Sequence, residues 1–398
     1  MANFSMKADF GRWHALSESS PGLPAYVRTI VYAPGVRHAK LEDSKNPGSG
    51  YARRTLDFGR GDSWRINRQE IDMYISPPDL PIPIFPNASK LIWDGKWVLR
   101  SCLSQYGVHS SKVTLDTILR FLRQLPRIQD VRFINFTGLT VNDACIILNA
   151  LPPLVHLRFN TTLVKSNTAG SLPILSTAKV SILQSVCFDS SDIIMMDPYT
   201  LENADWFVDY LLSARGVTVV PLQTLICTNA AFTSEAFIRL LDATSSTLTQ
   251  VTLRATPERD FWLNIGSVFG PTGKTPLINL VHLHIRTIDR FTNDLKLEIS
   301  WAVSALRHLH APNLQYLTIT ALLYNLDPTD IFDEGNFGWR EICDDIPRRL
   351  PALQQFIWVW SDQCDGRLDV KENAQESMHR ALGRIPQFSV EWKQHIEY

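Results

Sequence analysis

One recurring phrase constrains this chain more than any other feature: Pro-x-φ-x-x-φ-x-φ, where φ is apolar. It reads Pro126-Arg-Ile128-Gln-Asp-Val131-Arg-Phe133, then Pro152-Pro-Leu154-Val-His-Leu157-Arg-Phe159. It returns as Pro312-Asn-Leu314-Gln-Tyr-Leu317-Thr-Ile319 and Pro351-Ala-Leu353-Gln-Gln-Phe356-Ile-Trp358. Without the proline, the same spacing occurs at Leu183/Val186/Phe188, Leu222/Leu225/Cys227, Leu248/Val251/Leu253, Leu280/Leu283/Ile285 and, more weakly, Ala88/Leu91/Trp93. The first apolar positions (88, 128, 154, 183, 222, 248, 280, 314, 353) lie 26 to 40 residues apart, the length of one strand-plus-helix unit.

Amphipathic stretches fill the intervals. Leu115, Ile118, Leu119, Leu122 and Leu125 share one helical face before Pro126. Ala144, Ile147, Leu148 and Leu151 do so before Pro152, opened by Thr140-x-x-Asp143, a capping box. Thr233 caps a predicted helix carrying Phe237, Leu240 and Leu241. Ala302, Ala305, Leu306 and Leu309 precede Pro312, and Trp339, Ile342, Cys343, Ile346 and Leu350 precede Pro351. A last helix with Met378, Ala381, Leu382 and Ile385 leads into Phe388-Ser-Val390-Glu-Trp392.

Alternating helices and strands imply parallel strands, because each helix is the crossover between them. No unit can bury its apolar face alone, so the units are expected to stack as a solenoid, an α/β fold with a parallel inner sheet and outer helices. The rival is a doubly wound sheet, which would bind a ligand where its strand order reverses. Residues 1–36 read as an N-terminal segment with a first strand candidate at Val27, Ile30 and Tyr32. Residues 37–85, rich in Gly, Pro and charge, read as an inserted loop, and residues 86–398 as the solenoid.

Residues resembling a known family carry this further. LPRIQDVRF, LPPLVHLRF, APNLQYLTI and LPALQQFIW resemble irregular leucine-rich repeats of the ribonuclease-inhibitor-like type. YVRTIVYAPGVRHAKL, followed at a distance by IFPNASKLIWD, resembles the leucine-rich region of fungal F-box proteins. That resemblance covers most of residues 26–398 and implies a protein-binding module that selects substrates for a cullin-type ubiquitin ligase. An F-box opens with Leu-Pro and an acidic residue in a longer N-terminal helical segment. Here Gly22-Leu23-Pro24-Ala25-Tyr26 supplies Leu-Pro without what should follow. The expectation is a substrate-recognition region whose own F-box is missing, with the ligase adaptor a partner only if an F-box is present elsewhere.

Composition narrows the alternatives. The 39 Lys plus Arg and 40 Asp plus Glu nearly cancel, so no global field draws in nucleic acid or an anionic membrane. Six scattered cysteines without a C-x-x-C pair read as reduced thiols of a cytoplasmic or nuclear protein. No secretory signal or membrane-spanning run is recognisable. The tripeptides starting at Asn87, Asn135 and Asn160 are therefore accidental matches to the glycosylation pattern.

GPTGKT, residues 270–275, resembles the end of a phosphate-binding loop. The first glycine of G-x-x-x-x-G-K-[ST] would fall at Val268, and Pro271 removes an N–H donor. A repeat strand, rather than a helix, follows. The stretch reads as a turn, and a nucleotide-binding enzyme using Lys274 is the alternative. The acidic run 330–341 has Gly335 and Glu341 at calcium-loop positions, but Phe332 stands where oxygen is required. His282 and His284 alternate on one strand, and His308 and His310 sit at a helix end, without ligands to complete a metal site. No cofactor or metal is expected, nor any chemistry of the chain's own.

One constellation follows from the repeat. If φ residues face the core, the x residues face the concave side. Arg132, His156, Arg158, Arg254, His282, His284, Arg286 and Tyr316 occupy x positions, against the acidic Asp94 and Asp130. Either these are ordinary solvated strand residues, or they form a basic strip suited to an acidic or phosphorylated segment of a protein partner. A structural repeat protein without a dedicated partner is the remaining reading.

Overall fold

The computed structural model describes residues 2–4, 7–32, 85–94, 119, 122–123, 125–134, 141–160, 182–188, 205–213, 220–227, 234–254, 277–287, 303, 306–323, 339–362, 368–385 and 387–394. Within them lie twelve strands: β1 (Ala2–Phe4), β2 (Thr29–Tyr32), β3 (Lys90–Asp94), β4 (Asp130–Ile134), β5 (His156–Asn160), β6 (Ser185–Phe188), β7 (Thr224–Cys227), β8 (Gln250–Arg254), β9 (His282–Thr287), β10 (Tyr316–Leu323), β11 (Gln355–Asp362) and β12 (Phe388–Gln394). The helices with described bounds are α1 (Lys7–Ser19), α2 (Val141–Ala150), α3 (Asp205–Leu212), α4 (Ser234–Thr244), α5 (Trp339–Arg349) and α6 (Leu368–Leu382). A short 3-10 turn spans Leu23–Tyr26.

The strands form one sheet in the order β1 to β12, so each strand's neighbours in space are its neighbours in sequence. Every pairing is parallel. The order never reverses, which removes the doubly wound alternative together with the crevice at which such a sheet holds nucleotides. The nine repeat phrases correspond to β3 through β11.

The hydrogen bonds explain why the phrase runs φ-x-x-φ rather than simply alternating. At the entry of each strand from β3 to β11 two consecutive N–H groups donate to a single carbonyl of the preceding unit. Gln129 and Asp130 donate to Ser89 O, Val155 and His156 to Gln129 O, and Gln184 and Ser185 to Val155 O. The series continues without a break to Gln354 and Gln355, which donate to Gln315 O. Two residues thus occupy one step of the ladder, as in a bulge, and the additional x is the residue this geometry inserts. Just before it, Asn side chains join successive turns: Asn87 donates to Ala25 O at 2.8 Å, and Asn279 and Asn313 to Ser246 O and Ile278 O at 2.6 Å each. Asn87, the first residue of a glycosylation tripeptide, therefore has a structural role.

Register stacks the φ residues into rows. One row contains Ile30, Leu91, Val131, Leu157, Val186, Leu225, Val251, Leu283, Leu317, Phe356 and Phe388. The next places Phe133, Phe159 and Phe188 side by side, with ring centroids 5.5 and 5.3 Å apart. These rows and the apolar faces of α2 to α6 form one continuous core. Every fully buried φ side chain removes enough apolar surface to contribute about 1.5–3 kcal/mol. Successive helices are also tied together: the Tyr210 hydroxyl of α3 donates to Asn149 Oδ1 of α2 at 2.9 Å, and Arg239 of α4 pairs with Asp209 of α3 at 2.9 Å.

Two elements differ from the sequence expectation. Thr29–Tyr32 lies at the first strand candidate, but β1 and α1 precede it and β1 pairs with β2. Residues 2–26 thus supply one more unit to the sheet. Helix α3 also arises in a stretch that showed no helical stripe. Several sequence features lie outside the described residues: 37–84 of the inserted loop, GPTGKT with Lys274, residues 330–338 of the acidic run, Thr140, Thr233, Cys102 and Cys364.

Candidate functional site

Strand alternation puts the x positions on the sheet face opposite the helices, and on several strands burial follows this split. On β4 the pattern alternates from partly exposed Asp130 and Arg132 to buried Val131 and Phe133. All-parallel sheets are ordinarily covered on both faces. Here His156, Gln250 and His282 in the first x row are exposed.

Register decides which of the predicted site residues meet. Arg132 and Arg158 are direct partners on β4 and β5, and Asp130 stands opposite both Lys90 and His156. The Lys90 ammonium lies 3.0 Å from Asp130, and Arg132 lies 3.7 Å from the same carboxylate. One acidic residue thus engages two cations, Lys90 and Arg132.

The second cluster lies on β8 to β12. Arg254 pairs in register with Arg286, and His282 with Tyr316. The His282 and Tyr316 rings stack at 4.6 Å, only 8° from parallel, as a flat platform on the x face. His284 Nε2 and Thr320 Oγ1 share a hydrogen bond of 2.8 Å. Burial, with the positive charges of Arg286 and Lys393, lowers the His284 pKa to about 4, so its imidazole is neutral at pH 7. Beyond it along the strands the face closes: Thr320 is 9% and Val359 2% exposed, while Glu391 and Lys393 on β12 are open to solvent.

The eight predicted residues therefore do not form a continuous strip. Between the clusters, β6 presents Ser185 and Cys187, and β7 presents Thr224 and Ile226, none of them charged. Lys393, Glu391 and Thr320 belong to the second cluster but were absent from the predicted set. The alternation of Phe388-Ser-Val390-Glu-Trp392, extended by one residue, could have placed Lys393 there. His308 and His310 are exposed at the end of the helical residues before β10.

Chemically, the x face offers hydrogen bonding, ion pairing and stacking. Among the described residues no group of three or more His, Cys, Asp or Glu is arranged to hold a metal. Burial raises the Cys343 thiol to about 11 and pushes Cys227 well above its ordinary value, which suppresses thiolate chemistry at both. No helix among the described residues is long and apolar enough to cross a membrane.

No protein-family model matches the chain, and no curated protein matches it either. The fold defines a class: an α/β protein with a parallel sheet whose strands follow chain order, backed by helices on its φ face.

Proposed function

We propose that this chain is a leucine-rich-repeat module that binds a protein partner on the x face of its sheet, the concave side of a solenoid. The observation that carries the reading is the chemistry of that face. Cations, a stacked His–Tyr pair and polar side chains occupy a parallel sheet surface that other folds bury under helices. Binding acts through surface complementarity, and the partner segment is acidic or phosphorylated. The repeat phrases and the bulged strand entries support the leucine-rich-repeat assignment. Substrate recognition for a cullin-type ligase rests on the resemblance of YVRTIVYAPGVRHAKL and IFPNASKLIWD to fungal F-box proteins.

Affinity capture from a eukaryotic lysate, with and without phosphatase treatment, tests this reading. It expects a partner retained at stoichiometric levels and reduced by phosphatase. Quantitative recovery of no protein in either condition would contradict it. The ligase link is read separately from co-purification of the adaptor and cullin.

A further inference from the structure

A sheet that does not close has two edges. Here they are β1 and β12, each with one hydrogen-bonded neighbour among the described residues. β1 has three residues and β12 has seven. Rows that are closed on β11 lie partly open on β12. Phe356, Trp358 and Trp360 are fully buried, whereas their register partners Phe388, Val390 and Trp392 are only partly buried. Packing reaches this last strand from one flank: Phe388 meets Phe356 at 5.3 Å and Trp392 meets Trp360 at 6.3 Å between ring centroids.

The backbone is one-sided in the same way. Phe356 N–H donates to Gln387 O, so the backbone groups of Ser389, Glu391 and Lys393 face β11. Those of Val390 and Trp392 point the other way, toward the open edge. A row of outward N–H and C=O groups is a template for another strand, and natural edges are often guarded by charge. β12 has two charged side chains, Glu391 and Lys393, 47% and 62% exposed and 3.9 Å apart on one face.

Their spacing turns a guard into a key. Consider β12 paired antiparallel with a second β12 about a two-fold axis at Trp392. Glu391 then stands opposite Lys393 of the second copy, and Lys393 opposite its Glu391. Trp392 meets its own counterpart as a hydrogen-bonded pair, because its N–H and C=O already point outward. Glu391 and Lys393 fall at the closer, non-hydrogen-bonded positions. An axis at Glu391 would oppose two like charges, and one at Val390 would set Glu391 against Ser389. Of these registers only the one about Trp392 matches both charges with their opposites. Joining β12 to β1 of another copy would use three residues at most and would not close.

We propose that β12 is a self-association edge, where a second copy of this chain pairs antiparallel about Trp392 and continues the sheet. Directly opposed residues share a face, so φ rows meet φ rows and the two x faces lie on the same side. The inference is independent of the partner-binding reading of the x face.

Analytical ultracentrifugation of the full chain tests it, with circular dichroism showing that each variant is folded. Wild type is expected to form a reversible dimer dissociating in the range of about 10–100 μM, as suits a small interface. Glu391→Lys or Lys393→Glu opposes like charges twice and should weaken self-association by about tenfold or more. Combining the two substitutions restores opposite pairs and should return the affinity to within about threefold of wild type. An equimolar mixture of the two single variants should form a heterodimer, because the charges of one again oppose those of the other. Val390→Pro removes an outward N–H, spares the ladder to β11 and should abolish the dimer. Where one charge variant does not fold, the other and Val390→Pro decide. A monomer at up to about 1 mM, or assembly that grows beyond the dimer, would overturn the proposal. So would folded single variants that associate like wild type, or a mixture of them that forms no heterodimer.

Discussion

Phe159 and Arg158 are neighbours in sequence, and the account gives them opposite fates. The Phe159 ring stacks between Phe133 and Phe188 at 5.5 and 5.3 Å and meets Trp206 and Phe207 edge-on at 6.0 Å each. Truncating a buried phenylalanine costs about 3–5 kcal/mol, because the transfer energy is lost and the cavity collapses only in part. Two strand neighbours and a helix hold this cavity open, so Phe159→Ala should fall in the upper half of that range. Arg158→Ala, on the x face, should cost about 1 kcal/mol or less. Urea denaturation followed by far-UV circular dichroism compares the two. Hydrogen exchange should place the loss in β4 to β6, since stacked units feel mainly their neighbours. A cost for Phe159→Ala below about 1 kcal/mol, or one matched by Arg158→Ala, would refute the assignment of faces.

Other expectations follow from individual residues. His284 has a folded pKa near 4 against 6.5 in the unfolded chain, so the unfolded state binds the proton more readily between these values. Its contribution is complete above about pH 6.5 and is lost as pH falls toward 4, amounting to roughly 3 kcal/mol at most. Wild type minus His284→Gln in denaturation across that window should show the loss, and parallel curves would contradict it. A Cβ at Gly383 would lie 2.3 Å from the His379 carbonyl oxygen, so Gly383→Ala should destabilise by more than about 1 kcal/mol in the same assay. Asn279→Ala and Asn313→Ala each remove a side-chain hydrogen bond between successive turns and should lower stability by about 0.5–1.5 kcal/mol apiece. Cys145, Cys187, Cys227 and Cys343 are buried, so in the native protein at pH 7.5 they should resist alkylation that proceeds rapidly in urea, as read by peptide mass spectrometry.

Much of this architecture is legible in sequence because one physical requirement repeats. A strand entering through a two-residue step needs apolar side chains at fixed offsets, and that pattern marks β3 through β11. Where the requirement weakens, the reading fails. β1 has three residues, too few to show the phrase, and among the described side chains of α1 Trp13 packs against the core. In α3, Trp206, Phe207, Val208, Tyr210 and Leu211 are all buried and only Asp205 and Asp209 mark the outer side, so the polar face is too narrow to show the helical period clearly. The site divides the same way. Alternation shows which residues face outward, but only register shows which of them meet. Asp130 finds Lys90 forty positions away, and Lys393 acts on His284 across two intervening strands.

The claim that the x face holds the partner is tested most directly by charge reversal at one residue of each cluster. Arg158→Glu combined with Arg286→Glu changes two x positions and leaves every φ residue in place. Quantitative affinity capture should then lose the partner at least tenfold while the melting temperature stays within a few degrees of wild type. Undiminished capture by a folded double variant would contradict the account.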